Sequence, residues 1–471
     1  MNYEQTLEKS KKHNQQHLLT FWNELDESSR EKLLDQIGQI DFNSLDSKIQ
    51  EYVKNSAPTK LPSKIEPAPV YPAIPQTPEH KEKFAKAKKL GEELLSKGKV
   101  AAFVVAGGQG TRLGFDGPKG DFKVSPIKNK TLFQIFAESI KAAGIKYGFQ
   151  PHWYIMTSPL NDEPTRKIFK SNNFYGLKEQ NVFFFQQGTE VNYSTDGKIL
   201  LAEKDTLATS PDGHGGSLKA LYKSGAVAEM KKLGIEHISY FQVDNPLINI
   251  FDPLFIGLHA IDDAEMSSKY LTKCEPLEKV GNFCLGDGKV TVIEYSDLPD
   301  ELAYKKNPDG SLVFALGSIA IHIISRTFIE RLNAKGFALP YHRAVKKIPY
   351  VDTTSGKIIK PEKPNGIKLE TFVFDALPLA KESIILETIR SDEFAPVKNA
   401  EGADSPAVTK RMMVERAAEW LENAGIKIPK KPDGSIDCQI EIAPSFALSA
   451  EDIASKKINL KIESGQKVYL E

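Results

Sequence analysis

One stretch of the chain concentrates glycine and positive charge: Ala106-Gly107-Gly108-Gln109-Gly110-Thr111-Arg112-Leu113-Gly114, closed by Pro118-Lys119-Gly120. Residues without a Cβ let backbone N–H groups approach an anion closely and turn through positive φ angles. Such a loop, helped by an oncoming helix N-terminus, makes an anion-binding concavity. Arg112 and Lys119 add full positive charges that can clamp several phosphates. Two familiar phosphate loops fail on spacing. A Walker A loop needs G-x-x-x-x-G-K-[ST], and no Gly-Lys followed by Ser or Thr occurs in the chain. A dinucleotide fingerprint counted from Gly108 and Gly110 puts its third glycine on Leu113. A second candidate is Asp244, which follows the apolar run HISYFQV. A carboxylate at the C-terminal end of a buried strand is a hard-oxygen ligand suited to Mg²⁺; a cap or turn aspartate is the plainer alternative.

The surrounding pattern supplies elements that can hold these groups. Residues 100–106 (VAAFVVA) form a short continuous apolar run, the mark of a strand buried on both faces. The glycine loop therefore sits at a strand's C-terminal edge, where open α/β sheets bind ligands. Residues 131–143 read as a helix stopped by Gly144, 152–157 as a strand, 164–174 as a helix and 182–185 as a strand. A helix over 216–233 ended by Gly234 and a buried strand over 237–243 follow. This alternation predicts an α/β fold with a mostly parallel twisted sheet and helices on both faces. The runs 318–325 and 368–375 extend that sheet or belong to an insertion.

The flanks read differently. Residues 3–52 are helical by spacing, with Leu18, Leu19, Phe21, Trp22 and Leu25, then Leu33, Leu34 and Ile37, and start signals at Asp26-Glu27-Ser28-Ser29. From Pro58 to Pro78 the density of proline predicts an extended strap, with Ile65, Val70, Tyr71 and Ile74 as its packing residues. After Phe394-Ala395-Pro396, the segments CQIEI, INLKI and KVYLE predict a small β-rich C-terminal unit. The expected division is a helical unit with its linker over 1–95, a catalytic domain over 96–395, and a C-terminal domain over 396–471.

Composition bounds the partners. The 471 residues carry 62 Lys+Arg against 62 Asp+Glu, a balance that argues against coating nucleic acid. A chain of this length exceeds one hydrophobic core. No apolar run approaches the ~18–20 residues that span a bilayer. The charged opening MNYEQTLEKSKKHNQQ does not read as a secretory signal. Three scattered cysteines (Cys274, Cys284 and Cys438) suit neither a disulfide framework nor a zinc site. The expectation is a cytoplasmic protein that handles its anion at one site, without nucleic acid or membrane.

GGQGTRLG followed by PKG resembles the signature of the UDP-N-acetylhexosamine pyrophosphorylases and the related UDP-sugar pyrophosphorylases. The resemblance continues through Phe185-Gln186-Gln187-Gly188, Pro211-Asp212-Gly213-His214-Gly215-Gly216, Val243-Asp244-Asn245-Pro246 and Val292-Ile293-Glu294-Tyr295-Ser296. It runs on through Gly366-Ile367-Lys368-Leu369-Glu370 to Glu393-Phe394-Ala395-Pro396-Val397-Lys398-Asn399-Ala400. It implies a Rossmann-like domain and the Mg²⁺-assisted reaction of UTP with a sugar 1-phosphate, giving a UDP-sugar and pyrophosphate. By the same resemblance Ala106, Gly107 and Gly108 belong to the nucleotide site, the two glycines beside the uracil, with Gln187 and Gly213 reading its edge. Arg112 and Lys119 hold the triphosphate, and Asp244 binds Mg²⁺. Gly281, Glu294 and Tyr295 touch the sugar, while Lys368 and Lys398 reach the phosphates from the far side. Two positions depart from the family pattern: His214 and Ser318 stand where members specific for N-acetylhexosamine phosphates carry asparagine near the sugar. An amide offers donor and acceptor together, His and Ser offer them with different reach, and so sugar choice is where the chain departs. N-acetylglucosamine 1-phosphate is the first expectation and glucose 1-phosphate the alternative. A UDP-sugar-dependent glycosyltransferase is a weaker reading, because Asp244 lacks a second aspartate in an Asp-x-Asp pair. A non-catalytic UDP-sugar binder is weaker still, because Arg112, Lys119, Asp244 and Lys398 occur together.

Overall fold

The computed structural model describes residues 1–55 and 61–471, so Pro58, the first residue of the expected strap, lies outside the described residues. Contacts group the chain into two units, one of Met1–Leu61, Gln187–Leu218 and Ala338–Asp375, the other of Pro62–Gln186, Lys219–Phe337 and Ala376–Glu471.

The larger unit is built on a ten-stranded sheet. Its strands are β1 (Ile65–Glu66), β2 (Val100–Val105), β3 (Trp153–Thr157), β4 (Val182–Gln186), β5 (His237–Gln242), β6 (Met266–Thr272), β7 (Gly281–Gly286), β8 (Lys289–Ile293), β9 (Leu316–Ser325) and β10 (Ile385–Glu387). The strands β5, β2, β3 and β4 pair in parallel. The chain steps from β2 outward to β3 and β4, then returns to lay β5 on the other flank of β2. That reversal is a topological switch point, and it places the C-terminal ends of β2 and β5 side by side, Gln242 opposite Val105. Both strands are buried nearly throughout, because both faces are covered.

The expected mostly parallel sheet is in fact mixed. Antiparallel pairings join β9 to β5, β6 and β7, β7 to β8, and β1 to β7. β7 and β8 are joined by a two-residue Asp287-Gly288 turn with positive φ at both positions, which demands antiparallel pairing. Alternation read along a sequence does not reveal where such hairpins enter. Over its described residues the strap is extended as expected: Ile65 pairs with Gly286, and the Tyr71 N–H donates to the Ile385 carbonyl at 2.8 Å. Ile74, expected to pack, is 68 % exposed, and Val70 is also exposed.

Helix Leu132–Tyr147 starts on Thr131, whose side chain accepts from the Gln134 N–H. It does not stop at Gly144. A Cβ there would lie 2.8 Å from the Pro151 ring, so Gly144 serves a close approach inside the helix, and Gly148, at φ 72°, ends it. The expected helix over 216–233 is two, Gly216–Lys223 and Ala226–Leu233, divided at Gly225 (φ 84°). The C-terminal region is not β-rich. Helix Pro406–Asn423 buries Ala417, Ala418 and Leu421 in a cluster with Ile440, Ile453 and Val468; the strands there are Gln439–Ile442 and Lys467–Leu470, paired in parallel, with a single isolated bridge between Lys430 and Ile436. Residues 458–462, read as a strand, form none.

In the smaller unit the chain forms helices Tyr3–Lys12, Glu27–Gly38 and Phe42–Lys48. Leu33, Leu34 and Ile37 lie on the second, which Asp26 caps by accepting from the Ser29 N–H, whereas Leu18, Leu19, Phe21, Trp22 and Leu25, expected on a helix, fall in and beside the short 3₁₀ turns Gln16–Leu19 and Trp22–Glu24. Leu18, Leu33, Ile37 and Leu45 pack with Tyr193, Ile199, Ile367 and Leu369 in one core. Strand Gly366–Glu370 lies between His342–Lys346 and Tyr193–Ser194 in a three-stranded antiparallel sheet. Residues 368–370 thus serve this separate sheet, whereas 371–375 belong to no strand.

Candidate active site

In the larger unit the glycine loop leaves β2 and folds back on itself. The Gly110 N–H donates to the Gly117 carbonyl at 2.9 Å, and the Lys119 N–H to the Gly108 carbonyl at 3.1 Å. A Cβ on Gly110 would lie 2.6 Å from the Phe115 ring, whereas one on Gly108 would meet nothing within 4 Å. Gly110 is therefore a packing glycine, and Gly108 lies open to anything that approaches the loop. Arg112 is exposed and makes no ion pair among the described residues. Lys119 and Asp244 are mostly buried and face each other, Nζ to Oδ2 at 3.4 Å.

The turn after β5 ties this region to a distant segment. The Val397 N–H donates to the Asp244 carbonyl at 2.8 Å, and Lys398 is the next residue along the chain. The Lys398 ammonium is 3.9 Å from Asp404 and 5.7 Å from the Phe394 ring centre, loose contacts that leave it half-exposed. Behind it, buried Lys269 pairs with Glu393 at 2.6 Å and with Asp252 at 2.7 Å. Burial disfavours the Lys269 ammonium, but the two carboxylates outweigh it and hold its pKa above the ordinary lysine value.

Gly281, Glu294 and Ser318 are brought together by β7 and β9. Gly281 pairs with Ser318, and a Cβ on Gly281 would lie 3.6 Å from Glu294 Oε1 and 3.8 Å from the Ser318 Cβ. Tyr295, next to Glu294 in sequence, is exposed.

The smaller unit holds Gln187, Gly213, His214 and Lys368. Gly213, at φ 85°, could carry no side chain, since a Cβ would sit 2.3 Å from the Thr371 carbonyl. Thr371 in turn donates through its N–H and its hydroxyl to the Asp212 carbonyl, at 2.8 and 3.0 Å. His214 Nδ1 accepts from the Val373 N–H at 3.1 Å, so the neutral ring keeps its proton on Nε2. Its ring stacks on Phe372, which stacks on His342, and His342 pairs with Asp375 at 2.7 Å. Burial, with His342 nearby, pushes the His214 pKa down to about 4. Lys368 is half-buried and makes no ion pair among the described residues.

Among the described residues no group of three His, Cys, Asp or Glu could hold a metal ion. Asp244 offers one carboxylate, and that donor set fits Mg²⁺, which is commonly held by one or two carboxylates together with substrate phosphates and water. A cavity of about 520 Å³ in the larger unit, lined in part by Lys130, Tyr147, Arg416 and Trp420, contains none of the expected substrate-binding residues.

Two asparagines were missed from sequence. Asn161 is fully buried: its Nδ2 donates to the Ala106 carbonyl at 2.9 Å and to the Gly108 carbonyl at 3.2 Å, while Oδ1 accepts from the Ser158 N–H at 2.7 Å. The signal available was an Asn just before a helix, which reads as a cap, yet its side chain caps nothing and holds the loop instead. The second is Asn245, next to Asp244 in the Val243-Asp244-Asn245-Pro246 run, where residue type alone announces no role.

A profile of the family described as UTP–glucose-1-phosphate uridylyltransferase matches residues 42–447. The human UDP-N-acetylhexosamine pyrophosphorylase-like protein 1 is 36 % identical over 468 residues, covering 93 % of this chain and 92 % of that protein. The UDP-N-acetylglucosamine pyrophosphorylase of Saccharomyces cerevisiae is 34 % identical over 471 residues, with 96 % of each chain covered. The crystal structure of the Trypanosoma brucei uridine diphosphate N-acetylglucosamine pyrophosphorylase, in complex with inhibitor, superposes with a TM-score of 0.81 at 27 % identity, over 96 % of this chain and 94 % of that one. With its open glycine loop at the switch point and a match running through nearly its whole length, the chain belongs to the UTP–glucose-1-phosphate uridylyltransferase family and, within it, to the UDP-N-acetylhexosamine pyrophosphorylases.

Proposed function

We propose that this protein is a uridylyltransferase that converts UTP and N-acetylglucosamine 1-phosphate into UDP-N-acetylglucosamine and pyrophosphate. The observation that carries this reading is the convergence of an open glycine loop, Lys119 and Asp244 at the adjoining ends of β2 and β5, in a chain of this family. The sugar phosphate is the nucleophile: its oxygen bonds to the α-phosphorus of UTP as the bond to the bridging oxygen of the β-phosphate breaks, and pyrophosphate leaves. An anionic nucleophile needs no Ser–His or Cys–His device; it needs its repulsion from the triphosphate neutralised. Arg112, Lys119 and Lys398 supply that charge, and partial burial of Lys119 strengthens its field. Asp244 would hold Mg²⁺, which when bound adds positive charge against the triphosphate. Ala106, Gly107 and Gly108 receive the nucleotide, Gln187 and Gly213 read the uracil, and Lys368 meets phosphate.

By the family resemblance Gly281, Glu294, Tyr295 and Ser318 of the larger unit read the sugar, and the same resemblance gives His214 of the smaller unit that role. His214 has already used Nδ1 on the Val373 N–H, so it presents Nε2–H as a donor only, where an asparagine would present donor and acceptor. That difference, together with the family's description, makes glucose 1-phosphate the second substrate to test. A Rossmann-like nucleotide domain, a cytoplasmic setting, and action on small molecules without nucleic acid or membrane complete the reading; no helix among the described residues is long and apolar enough to cross a membrane. The test is pyrophosphate release from UTP and Mg²⁺ with a panel of sugar 1-phosphates. Release with N-acetylglucosamine 1-phosphate above all others supports the proposal. Preference for glucose 1-phosphate transfers it to the second substrate, and silence with every sugar ends it.

A further inference from the structure

We propose that Asn245 is a positioning residue for the transfer step: its carboxamide locks the turn that bears Asp244 to the segment that bears Lys398. The inference rests on the uridylyl-transfer reading and adds to it the group that holds two of its charges in register. Asn245 is 6 % exposed, and both ends of its side chain are committed. Nδ2 donates to the Glu393 carbonyl at 2.7 Å, while Oδ1 accepts from the Ala395 N–H at 3.1 Å and the Leu247 N–H at 3.3 Å. One residue earlier, the Asp244 carbonyl accepts from the Val397 N–H at 2.8 Å. Two adjacent residues at the end of β5 therefore grip three positions of one distant segment, Glu393, Ala395 and Val397, immediately before Lys398.

That segment needs the grip. Residues 394–399 form neither helix nor strand, and Pro396 has no N–H to give, so its buried backbone groups must find partners elsewhere. Lys398 has no close carboxylate to hold it, since Asp404 lies 3.9 Å away. Its place is set by the backbone it grows from. Glu393 anchors the other end of the clamp: its carboxylate accepts from buried Lys269 at 2.6 Å, from the Thr388 hydroxyl at 2.8 Å and from the Asn249 N–H at 3.1 Å. Position 245 must donate and accept at once, which an ionised aspartate cannot do and an apolar residue cannot do at all.

A group that works through Lys398 leaves a signature that a merely structural asparagine does not. The experiment is a double-mutant cycle of Asn245→Ala with Lys398→Ala, read as kcat and KM for UTP and N-acetylglucosamine 1-phosphate. Asn245→Ala alone is expected to lower kcat about 10²-fold, the scale of an ångström-sized misplacement, with KM for UTP within about twofold. In the Lys398→Ala background the same change is expected to cost less than about threefold. Equal losses in both backgrounds, or an unchanged kcat in the single variant, overturn the proposal. Asn245→Asp, which keeps both acceptor contacts and loses only the donor, runs through the same cycle and decides the matter if Asn245→Ala does not fold. Wild-type turnover is measured first: no pyrophosphate from the wild type defeats the transfer reading, whereas turnover with additive losses defeats the clamp alone.

Discussion

Asn161 holds the glycine loop from beneath, and its removal has a cost that can be worked out group by group. In Asn161→Ala the Gly108 carbonyl keeps the Lys119 N–H as a partner. The Ala106 carbonyl and the Ser158 N–H and hydroxyl lose theirs, and both residues are buried. The hydroxyl can rotate, but the two backbone groups cannot; at about 1–3 kcal/mol for each of these two left unpaired, the loss is about 2–6 kcal/mol of folding stability. That is a large share of the ~5–15 kcal/mol typical of a folded domain. Asn161→Asp sharpens the test. Its carboxylate can still accept from Ser158, but when ionised it faces the carbonyls of Ala106 and Gly108 with no proton to give. Burial against two carbonyl oxygens raises the pKa of the introduced carboxyl above its unfolded value of about 4. A group with a raised folded pKa contributes stability that is complete below the unfolded pKa and is lost as pH rises through the folded one. Urea unfolding midpoints of Asn161→Asp, relative to wild type, are therefore expected to fall between about pH 4 and pH 7, and UTP affinity by calorimetry is expected to fall with them. A variant as stable as wild type at pH 7, or one with a deficit independent of pH, would refute this account of the loop.

Gly108→Ala and Gly110→Ala separate binding from folding: the first meets nothing within 4 Å and is expected to raise KM for UTP with an unchanged melting temperature, while the second collides with Phe115 and is expected to cost about 1–3 kcal/mol of stability. Matching losses of stability in both would show that Gly108 is a packing residue too. Lys119→Ala is expected to lower kcat by about 10²–10³, and unchanged turnover at saturating UTP removes Lys119 from the mechanism. His214 is held at about 4, below its ordinary value of 6.5, so the stability it contributes is complete above pH 6.5 and is lost as pH falls toward 4. His214→Gln is expected to flatten the fall of urea midpoints over that window; an unaltered slope shows that the ring is not neutral when folded. Chelation of Mg²⁺ is expected to abolish pyrophosphate release, and Asp244→Asn to raise the Mg²⁺ concentration needed for half-maximal rate; turnover indifferent to chelator defeats the assignment of Asp244.

Local patterns in the chain were enough to establish the glycine loop behind a buried strand, Asp244 at the end of another, and helix starts at Asp26 and Thr131. Each depends on groups a few residues apart: an apolar run shielding a strand, or a side chain accepting from an N–H three positions on. Gly144 was misread because its reason is Pro151 packed against it, a packing partner and not a helix end. The C-terminal segments alternate like strands, yet residues 458–462 form no strand; Ile458, Leu460 and Ile462 join instead the apolar cluster that holds Leu421 of helix Pro406–Asn423, a tertiary context that overrides local alternation. Asn161 and Asn245 were invisible as working residues. Their partners lie 55 and 148 positions away, and nothing in a buried carboxamide's own neighbourhood announces which distant carbonyl it will meet. Chemistry carried by residue type and spacing is written along the chain. The alignment of those groups depends on hydrogen bonds between segments that only folding brings together, because an unmade buried bond is too costly to leave and its maker can come from anywhere in the sequence.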